Sequence, residues 1–513
     1  VAFTAPSYTG KGGTVTYVAT SSPGGITGSN TTSPITVTGL TTGTAYTFTV
    51  SATTSYGVSS SASSASSSVS PVGYYAAAIY GSSEEEQTGY VTSDSSGNSY
   101  IGYSSYTNVG AVMGIGIAKY NSSGTLQWQK KLTNSGVLKY YDVQQIAVSS
   151  TGDVYITGLA STITPGTPGD KGYVTKLNSS GVMQWTRTIV GSPGNSSSII
   201  GLAVDASNNV YAAGSYYDGS FNRLTLYKID SSGTTLAKQG YTTSWFINPN
   251  RLFIDSSGSI LVAGRGNNGN PMRGFLAKIS ADLTTISWSN LRSDPGGSYF
   301  EYYGVWADSS NNVYVAGQGG GGLSYIAKFN SSGTLQWEKL VDALGSANAN
   351  SDYPYGGIYG DSSGNIYISG TNTTVNASKG VSQQLAGFVT KYNSSGTNQW
   401  TRRISSSVSG SVSNYGIAID STGRILVGSW QNQLSGGTSY DTLLFALPTD
   451  GTKTGSITVG GRGFNYASAT STETSITTNT TTPTLTADAG SPTMTTETFT
   501  ASNGAGSAET ITL

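Results

Sequence analysis

The 513-residue chain contains neither cysteine nor histidine. Without cysteine there are no disulfide staples and no thiolate chemistry. Without either residue, zinc sites of the Cys/His type and the Cys–His and Ser–His–Asp catalytic arrangements are excluded. Charge is scarce as well. Asp, Glu, Lys and Arg make up 10% of the chain, and 25 basic residues nearly balance 26 acidic ones. That is well below the usual share of about a quarter. So few basic residues cannot neutralise a track of phosphates, which argues against nucleic acid and against a polybasic membrane contact. No apolar run approaches the roughly 18 residues of a membrane-spanning helix. The missing cysteine does not fix the compartment, because a β-protein of this size needs no disulfides.

What the chain does have is 69 Gly, 34 Tyr and a repeated phrase. Asp94-Ser-Ser-Gly-Asn-Ser-Tyr100 returns as Ser149–Tyr155, Asp205–Tyr211, Asp255–Leu261, Asp308–Tyr314, Asp361–Tyr367 and Asp420–Leu426, at spacings of 50 to 59 residues. A fixed period of this length marks one supersecondary unit repeated. Each unit begins with an apolar strand such as Tyr303-Gly-Val-Trp-Ala307, followed by the Asp turn. There Asp94, Asp205, Asp255, Asp308, Asp361 and Asp420 can each accept a backbone N–H, and Gly or Asn tolerates positive φ. A second strand and a variable loop come next. The third strand carries Lys119, Lys176, Lys228, Lys278, Lys328 or Lys391, with Ala446 at that place in the last unit. An Asn-Ser-Ser-Gly turn then opens a fourth strand with Trp128, Trp185, Trp337 or Trp400. Four antiparallel strands make one blade. Third strands apolar on both faces, as in Phe388–Tyr392, are sandwiched on both sides.

These residues resemble the SBBP-type β-propeller repeat family, whose pattern is Asp-x-x-Gly-Asn-x-Tyr-x-x-Gly followed by Lys-x-Asn-Ser-Ser-Gly-x-x-x-Trp. The resemblance implies a seven-bladed β-propeller over residues 72–463 and is nearly silent on activity. Tyr74–Tyr80 reads as an orphan fourth strand ahead of the first unit, expected to pair with the last blade and close the ring. Gly455–Gly460 competes for that place.

The flanks read differently. Over residues 1–70, Pro34-Ile-Thr-Val-Thr-Gly-Leu40 and Thr44-Ala-Tyr-Thr-Phe-Thr-Val50 resemble a bacterial fibronectin type III domain. The resemblance implies a β-sandwich in which the Tyr46 hydroxyl bonds a backbone group upstream. The family's first strand is missing, so a neighbouring chain or upstream residues are expected to supply one. Ser59–Ser68, almost wholly Ser and Ala, reads as a last strand plus linker. Residues 464–513 are Thr/Ser-rich, have no Lys or Arg, and hold too few apolar residues for a core of their own. They read as an extended arm packing on something else. The overall fold class expected is all-β.

The motifs favour structural roles. One carboxylate per turn is poor for calcium, which gathers several, so no metal or other cofactor is expected. The lysines are expected to bury their stems between blades and pair with a turn Asp, and the tryptophans to pack blade on blade. Glu84-Glu85-Glu86 reads as a solvated loop. Recognition falls to variable loops (161–171, 264–273 and 371–384) and to tyrosines near strand entries. The candidate surface comprises Tyr216, Tyr217, Phe221, Tyr299, Phe300, Tyr302, Tyr353 and Tyr355, with Tyr303 beside them.

The expectation is a non-enzymatic structural or adhesion protein, extracellular, on a virion or cell-surface appendage, touching a host glycan or protein. Its domain order is similar to that of bacteriophage tail-fibre or appendage proteins. Expected partners are copies of itself or other appendage proteins, met through the N-terminal sheet edge and the C-terminal arm. A bacterial secreted or cell-surface adhesin is the alternative. A carbohydrate-active enzyme is a third class, needing two carboxylates in one cleft.

Overall fold

Strand-forming runs separated by short Asp and Asn turns dictate a succession of antiparallel meanders. The computed structural model of the protein shows them. It describes all residues except 7–12, 42–43, 70, 72, 81–83, 108–111, 134–138, 162–170, 190–196, 218–221, 243–245, 268–271, 294–298, 344–351, 377–380, 408–409, 434–439, 460–461, 470, 476–478, 482–485, 489–493, 498–499, 504–506 and 513. There is no α-helix among the described residues. The chain divides into two compact units, Val1–Gly73 and Tyr74–Leu513.

The larger unit is an all-β, propeller-like fold of seven sheets. Sheets 1 to 7 open with Glu84–Ser93, Lys139–Val148, Ser197–Val204, Phe246–Ile254, Glu301–Ala307, Asp352–Gly360 and Gly410–Ile419. Sheet 5 shows the pattern, with Glu301–Ala307, Val313–Gln318, Ser324–Phe329 and Leu335–Asp342 paired in order. The opening strands pack on one another in sequence, and that of sheet 7 packs on that of sheet 1. The cycle is closed. In sheet 7 the fourth strand is Tyr75–Tyr80, paired antiparallel with Tyr440–Pro448 as the orphan strand required. The competitor, Gly455–Val459, pairs instead with Arg462–Ala469 on sheet 6. The cores are the apolar layers between neighbouring sheets, such as Tyr302, Val305, Val315, Tyr325 and Phe329 facing Leu261, Ala263 and Leu276.

The repeated phrase builds one face of this ring. Asp308 Oδ1 accepts from the N–H groups of Ser310 and Asn312, both at 2.9 Å. Its Oδ2 accepts from the Asn312 amide and the Tyr314 hydroxyl. The turn aspartate thus satisfies donors that the bend would strand. Lysines and tryptophans then latch sheet to sheet. Lys176 pairs with Asp153 at 2.8 Å and donates to Ser231 O of the next sheet at 2.9 Å. The Trp185 indole donates to the same carbonyl at 3.1 Å. Lys328 and Trp337 repeat this on Ser394 O. The turn glycine beneath each indole leaves room for it; a Cβ on Gly333 would lie 2.6 Å from Trp288.

At the seam both latch residues change. Ala446 replaces the lysine, and Tyr75 takes the place of the tryptophan opposite it. Arg424 supplies the lost cation. Its guanidinium is fully buried, pairs with Asp420 at 2.6 Å, and donates to Gly97 O and Ser122 O of sheet 1. The substitution at the end of the repeat is therefore a closing latch.

The C-terminal arm lies on the ring itself. Arg462–Ala469 adds to the outer strand of sheet 6, Thr472–Ser475 to sheet 5 and Asn479–Thr481 to sheet 4. Thr486–Asp488 follows on sheet 3, Met494–Glu497 on sheet 2 and Thr500–Asn503 on sheet 1. Ser507–Thr512 ends on Tyr75–Tyr80 of sheet 7. The arm is a belt that travels the perimeter against the chain's own order and gives each sheet an added outer strand. Lys339 pairs with Glu473 across one of these junctions at 2.7 Å. An arm without a core is held because backbone pairing, which any sequence can supply, substitutes for apolar burial.

In the N-terminal unit, Val15–Ser22 pairs with Thr27–Asn30 and Thr47–Thr54. The Tyr46 hydroxyl accepts from the Thr41 N–H at 3.0 Å, the bond expected of it. Val1 and Ile35 exchange backbone hydrogen bonds, and Phe3 packs on Tyr17. The Ser/Ala stretch, expected to be a last strand plus linker, is tied along Thr47–Thr54 with a three-residue spacing in place of a strand's two. Ser60, Ser63 and Ser66 donate their N–H groups to the carbonyls of Ala52, Val50 and Phe48. Their hydroxyls accept from the N–H groups of the same three residues. Every third residue thus matches every second residue of the strand, a register that Ser60-Ser-Ala-Ser-Ser-Ala-Ser66 encodes. A reading confined to periods of 2 and 3.6 does not find it.

Candidate functional site

The two faces of the ring differ. One holds the latched Asp and Asn turns. The other holds the connections from second to third strands and from each sheet to the next. Here each opening strand is kinked by a β-bulge. The irregularities fall between Gln87 and Tyr90 against sheet 1's second strand, at Gln144, at Ile200, at Asn250, at Tyr303, between Tyr353 and Gly357, and at Tyr415. The cause is visible in the repeat. The glycine of Tyr-x-x-Gly faces the kink, and a Cβ on Gly317 would lie 1.9 Å from Glu301 O. On Gly214 it would lie 1.8 Å from Ser198 O. Bulges re-aim side chains, and these bring aromatic and polar groups to the mouth of the axis.

Three parallel tyrosines form the centre. Tyr353 stacks on Tyr355 at 5.0 Å, and Tyr355 on Tyr415 at 5.7 Å. Tyr303 leans on Tyr355 at 5.0 Å, and Tyr90 meets Tyr415 edge-on at 6.4 Å. Arg251, from sheet 4, reaches over the ring of Tyr90, on sheet 1, at 4.9 Å. Sheets 1 and 4 stand three places apart in a cycle of seven, so this contact crosses the axis. Arg251 is fixed there by donating to Asn250 O at 2.9 Å and Gln144 O at 3.3 Å. Behind this layer the axis widens into a cavity of about 280 Å³ lined by opening-strand residues including Tyr90, Gln145, Arg251 and Tyr359.

Two carboxylates accompany the aromatics. Buried Glu301 accepts from the Asn250 amide at 2.7 Å, pairs with Arg265 at 3.3 Å and accepts from the Tyr299 hydroxyl. Asp142 accepts from Ser104 Oγ at 3.3 Å and from the Gln144 amide. Burial pushes its pKa up to about 7, so it holds its proton in mildly acidic solution. Burial likewise pushes Tyr90 to about 12 and raises Tyr303 and Tyr355 above the ordinary phenol value. The phenols stay neutral and offer faces and hydroxyls. The arrangement suits a flat, hydroxylated ligand with an apolar face.

Of the candidate recognition residues, Tyr299, Tyr353 and Tyr355 come together here, with Tyr303. Phe300 and Tyr302 do not, because both are fully buried in the core with Tyr325. Tyr216 is buried and Tyr217 exposed at the end of a sheet 3 strand, while Phe221 lies outside the described residues. Residues 162–170 and 268–271 of the loops expected at 161–171 and 264–273 also lie outside them, and of 371–384, expected to be a loop, all but 377–380 belongs to two paired strands, Ile366–Asn376 and Val381–Tyr392. Glu86 is buried on the opening strand of sheet 1, so the acidic run is not a solvated loop at that residue. The sequence reading missed Tyr90, Arg251, Asn250 and Tyr415. Their signal was the strand glycine, which marks a bulge and so a redirected residue opposite it.

No protein-family model matches the sequence, and no curated protein matches it. Solved structures of β-propeller-like all-β folds do resemble it. The WD40 domain of Toxoplasma gondii coronin is 10% identical, with 74% of this chain and 88% of that one covered at a TM-score of 0.37. A rhamnogalacturonan lyase of Bacillus licheniformis is 12% identical, with 85% of each chain covered at 0.35. The tail fibre of Staphylococcus aureus phage P68 is 13% identical, with 63% of this chain and 53% of that one covered at 0.27. All three align at TM-scores below 0.5, and none bears on what this chain does.

Proposed function

We propose that the chain is a non-enzymatic adhesion protein of a virion or cell-surface appendage, built as a seven-bladed β-propeller behind a fibronectin type III module. The observation that carries this reading is the contrast between the two faces of the ring. One is latched by repeated turns, while the other gathers non-repeated tyrosines and arginines around the axis. A rigid ring presenting a Tyr-rich surface suits recognition of a host glycan or protein. The belt spends its inner edge on the ring, so contacts with copies of itself or other appendage proteins use the N-terminal unit and the outward edge of the belt. Low net charge keeps such assembly free of long-range repulsion.

The test is location and adhesion together. Mass spectrometry of purified source particles should find the chain with shell and fibre proteins, and labelled protein should decorate host cells. Recovery from the cytosol alone, with no decoration, would refute the reading. A bacterial surface adhesin is the alternative, and cell-surface shaving of the source organism distinguishes it. Asp142 and Glu301 at one mouth favour the enzymatic class enough to be tested. Glycan cleavage abolished by Asp142→Asn would replace adhesion with catalysis.

A further inference from the structure

We propose that the axial mouth binds a saccharide bearing a carboxylate, with Arg251 receiving the acid group and the Tyr353–Tyr355–Tyr415 stack supporting the sugar. This deepens the adhesive reading and rests on it.

Arg265, at the same mouth, has its charge taken up by Glu301 at 3.3 Å. Arg424 and Arg292 elsewhere in the ring have Asp420 and Glu338. Arg251 is held otherwise. It is anchored by two backbone carbonyls and by Tyr90, whose ring it lies over. Among the described residues no carboxylate forms an ion pair with it. The carboxyl of Asp142 is engaged by Ser104 and Gln144, and burial keeps it protonated below about pH 7. The guanidinium is therefore fixed in orientation, half-buried and not neutralised. A planar fork so placed matches a carboxylate, and low surrounding polarity strengthens the pairing.

Tyr353, Tyr355 and Tyr415 are parallel within 10° and half-buried. Together with Tyr90 and Tyr303 they make an aromatic patch next to the cation. A pyranose has an apolar C–H face for such a patch and an equatorial rim of hydroxyls for neighbouring polar groups. A carboxylate on that ring would meet the guanidinium, which lies over Tyr90, the neighbour of Tyr415. Sialic acids and uronic acids share this chemistry.

The experiment is calorimetry on the full chain with 3′-sialyllactose, tetragalacturonate and lactose, at low and high salt. One acidic probe is expected to bind at least about tenfold more tightly than lactose, and to weaken with salt. Which of the two binds names the source of the acid. Arg251→Gln should weaken binding about 10- to 100-fold, the range of a charge-assisted hydrogen bond. Tyr353→Ala should weaken it as well. If Arg251→Gln does not fold, Arg251→Lys keeps the charge, loses the fork, and should still bind less tightly. Equal binding of lactose, unchanged by the arginine variants, overturns the acidic class. Binding that survives both Tyr353→Ala and Tyr415→Ala overturns the site. No binding of any probe by protein that still decorates host cells overturns the proposal and leaves the adhesive reading standing. Failure to decorate cells refutes both.

Discussion

Replacing Arg424 with alanine removes the cation that fastens sheet 7 to sheet 1. The wild-type guanidinium is wholly enclosed, as is the Asp420 carboxylate it pairs with. It also donates to Gly97 O and Ser122 O across the seam and lies 5.3 Å from the centre of the Tyr75 ring. After truncation Asp420 keeps its bonds from the Thr422 and Arg424 N–H groups and the Thr422 hydroxyl on Oδ1. Its Oδ2 is left buried without a cation. Breaking a buried pair by removing one partner costs about 3–5 kcal/mol. The matched control is Lys328→Ala, whose ammonium is an exposed donor to Ser394 O at 3.2 Å. That latch should be worth about 1 kcal/mol or less. Urea unfolding followed by tryptophan fluorescence should separate the two variants clearly. Hydrogen exchange should localise the damage, with amides of Tyr75–Tyr80 opening in Arg424→Ala and remaining protected in the control. Equal costs for the two variants, or an unchanged Tyr75–Tyr80 segment, would refute the argument that Arg424 is the seam's latch.

Gly317→Ala places a methyl 1.9 Å from Glu301 O, where backbone must move; a loss of about 1–3 kcal/mol is expected in thermal melting, and a neutral result would show that the bulge does not need the glycine. Deleting the belt after Ala469 uncovers the outer strands of sheets 1 to 5 and 7 without touching the sandwiched cores. The ring should still fold but self-associate in light scattering, whereas a monomeric product would mean that the belt protects nothing. In the intact isolated chain, amides of Arg462–Ala469 and Ser507–Thr512 should be protected from exchange, since both segments pair within the chain. The carboxyl of Asp142 has a pKa raised by burial to about 7 in the folded state. Its contribution to stability is therefore present below about pH 4 and is lost as pH rises through about 7. Asp142→Asn should gain stability relative to wild type between pH 5 and 8, as read from denaturation midpoints; parallel pH profiles would show that Asp142 ionises freely.

The repeat was legible in the letters alone, and with it the four-strand units, the turn aspartates and the cation and aromatic of each latch. These are local or periodic facts. An Asp followed by Gly or Asn folds its turn from neighbours within four residues. An exception at the same place in the last unit, Ala446, already marked where the seam would lie. The orphan strand Tyr75–Tyr80 was legible for the same reason, since a count of strands per unit left one over. The three-residue ladder of Ser60, Ser63 and Ser66 was equally present in the letters, but its period was not one that strands or helices use. Which residues from distant units meet depends on the folded ring. Glu301 and Tyr302 are adjacent in sequence, yet one joins the axial mouth and the other is core, because alternate residues of a strand face opposite ways until a bulge intervenes. Arg251 and Tyr90 lie on sheets opposite each other, and only closure of the ring brings them within contact. The belt shows the limit most plainly. Its strands bind chiefly through backbone groups, so apart from a contact such as Glu473 with Lys339 its side chains do not name the seven edges it covers.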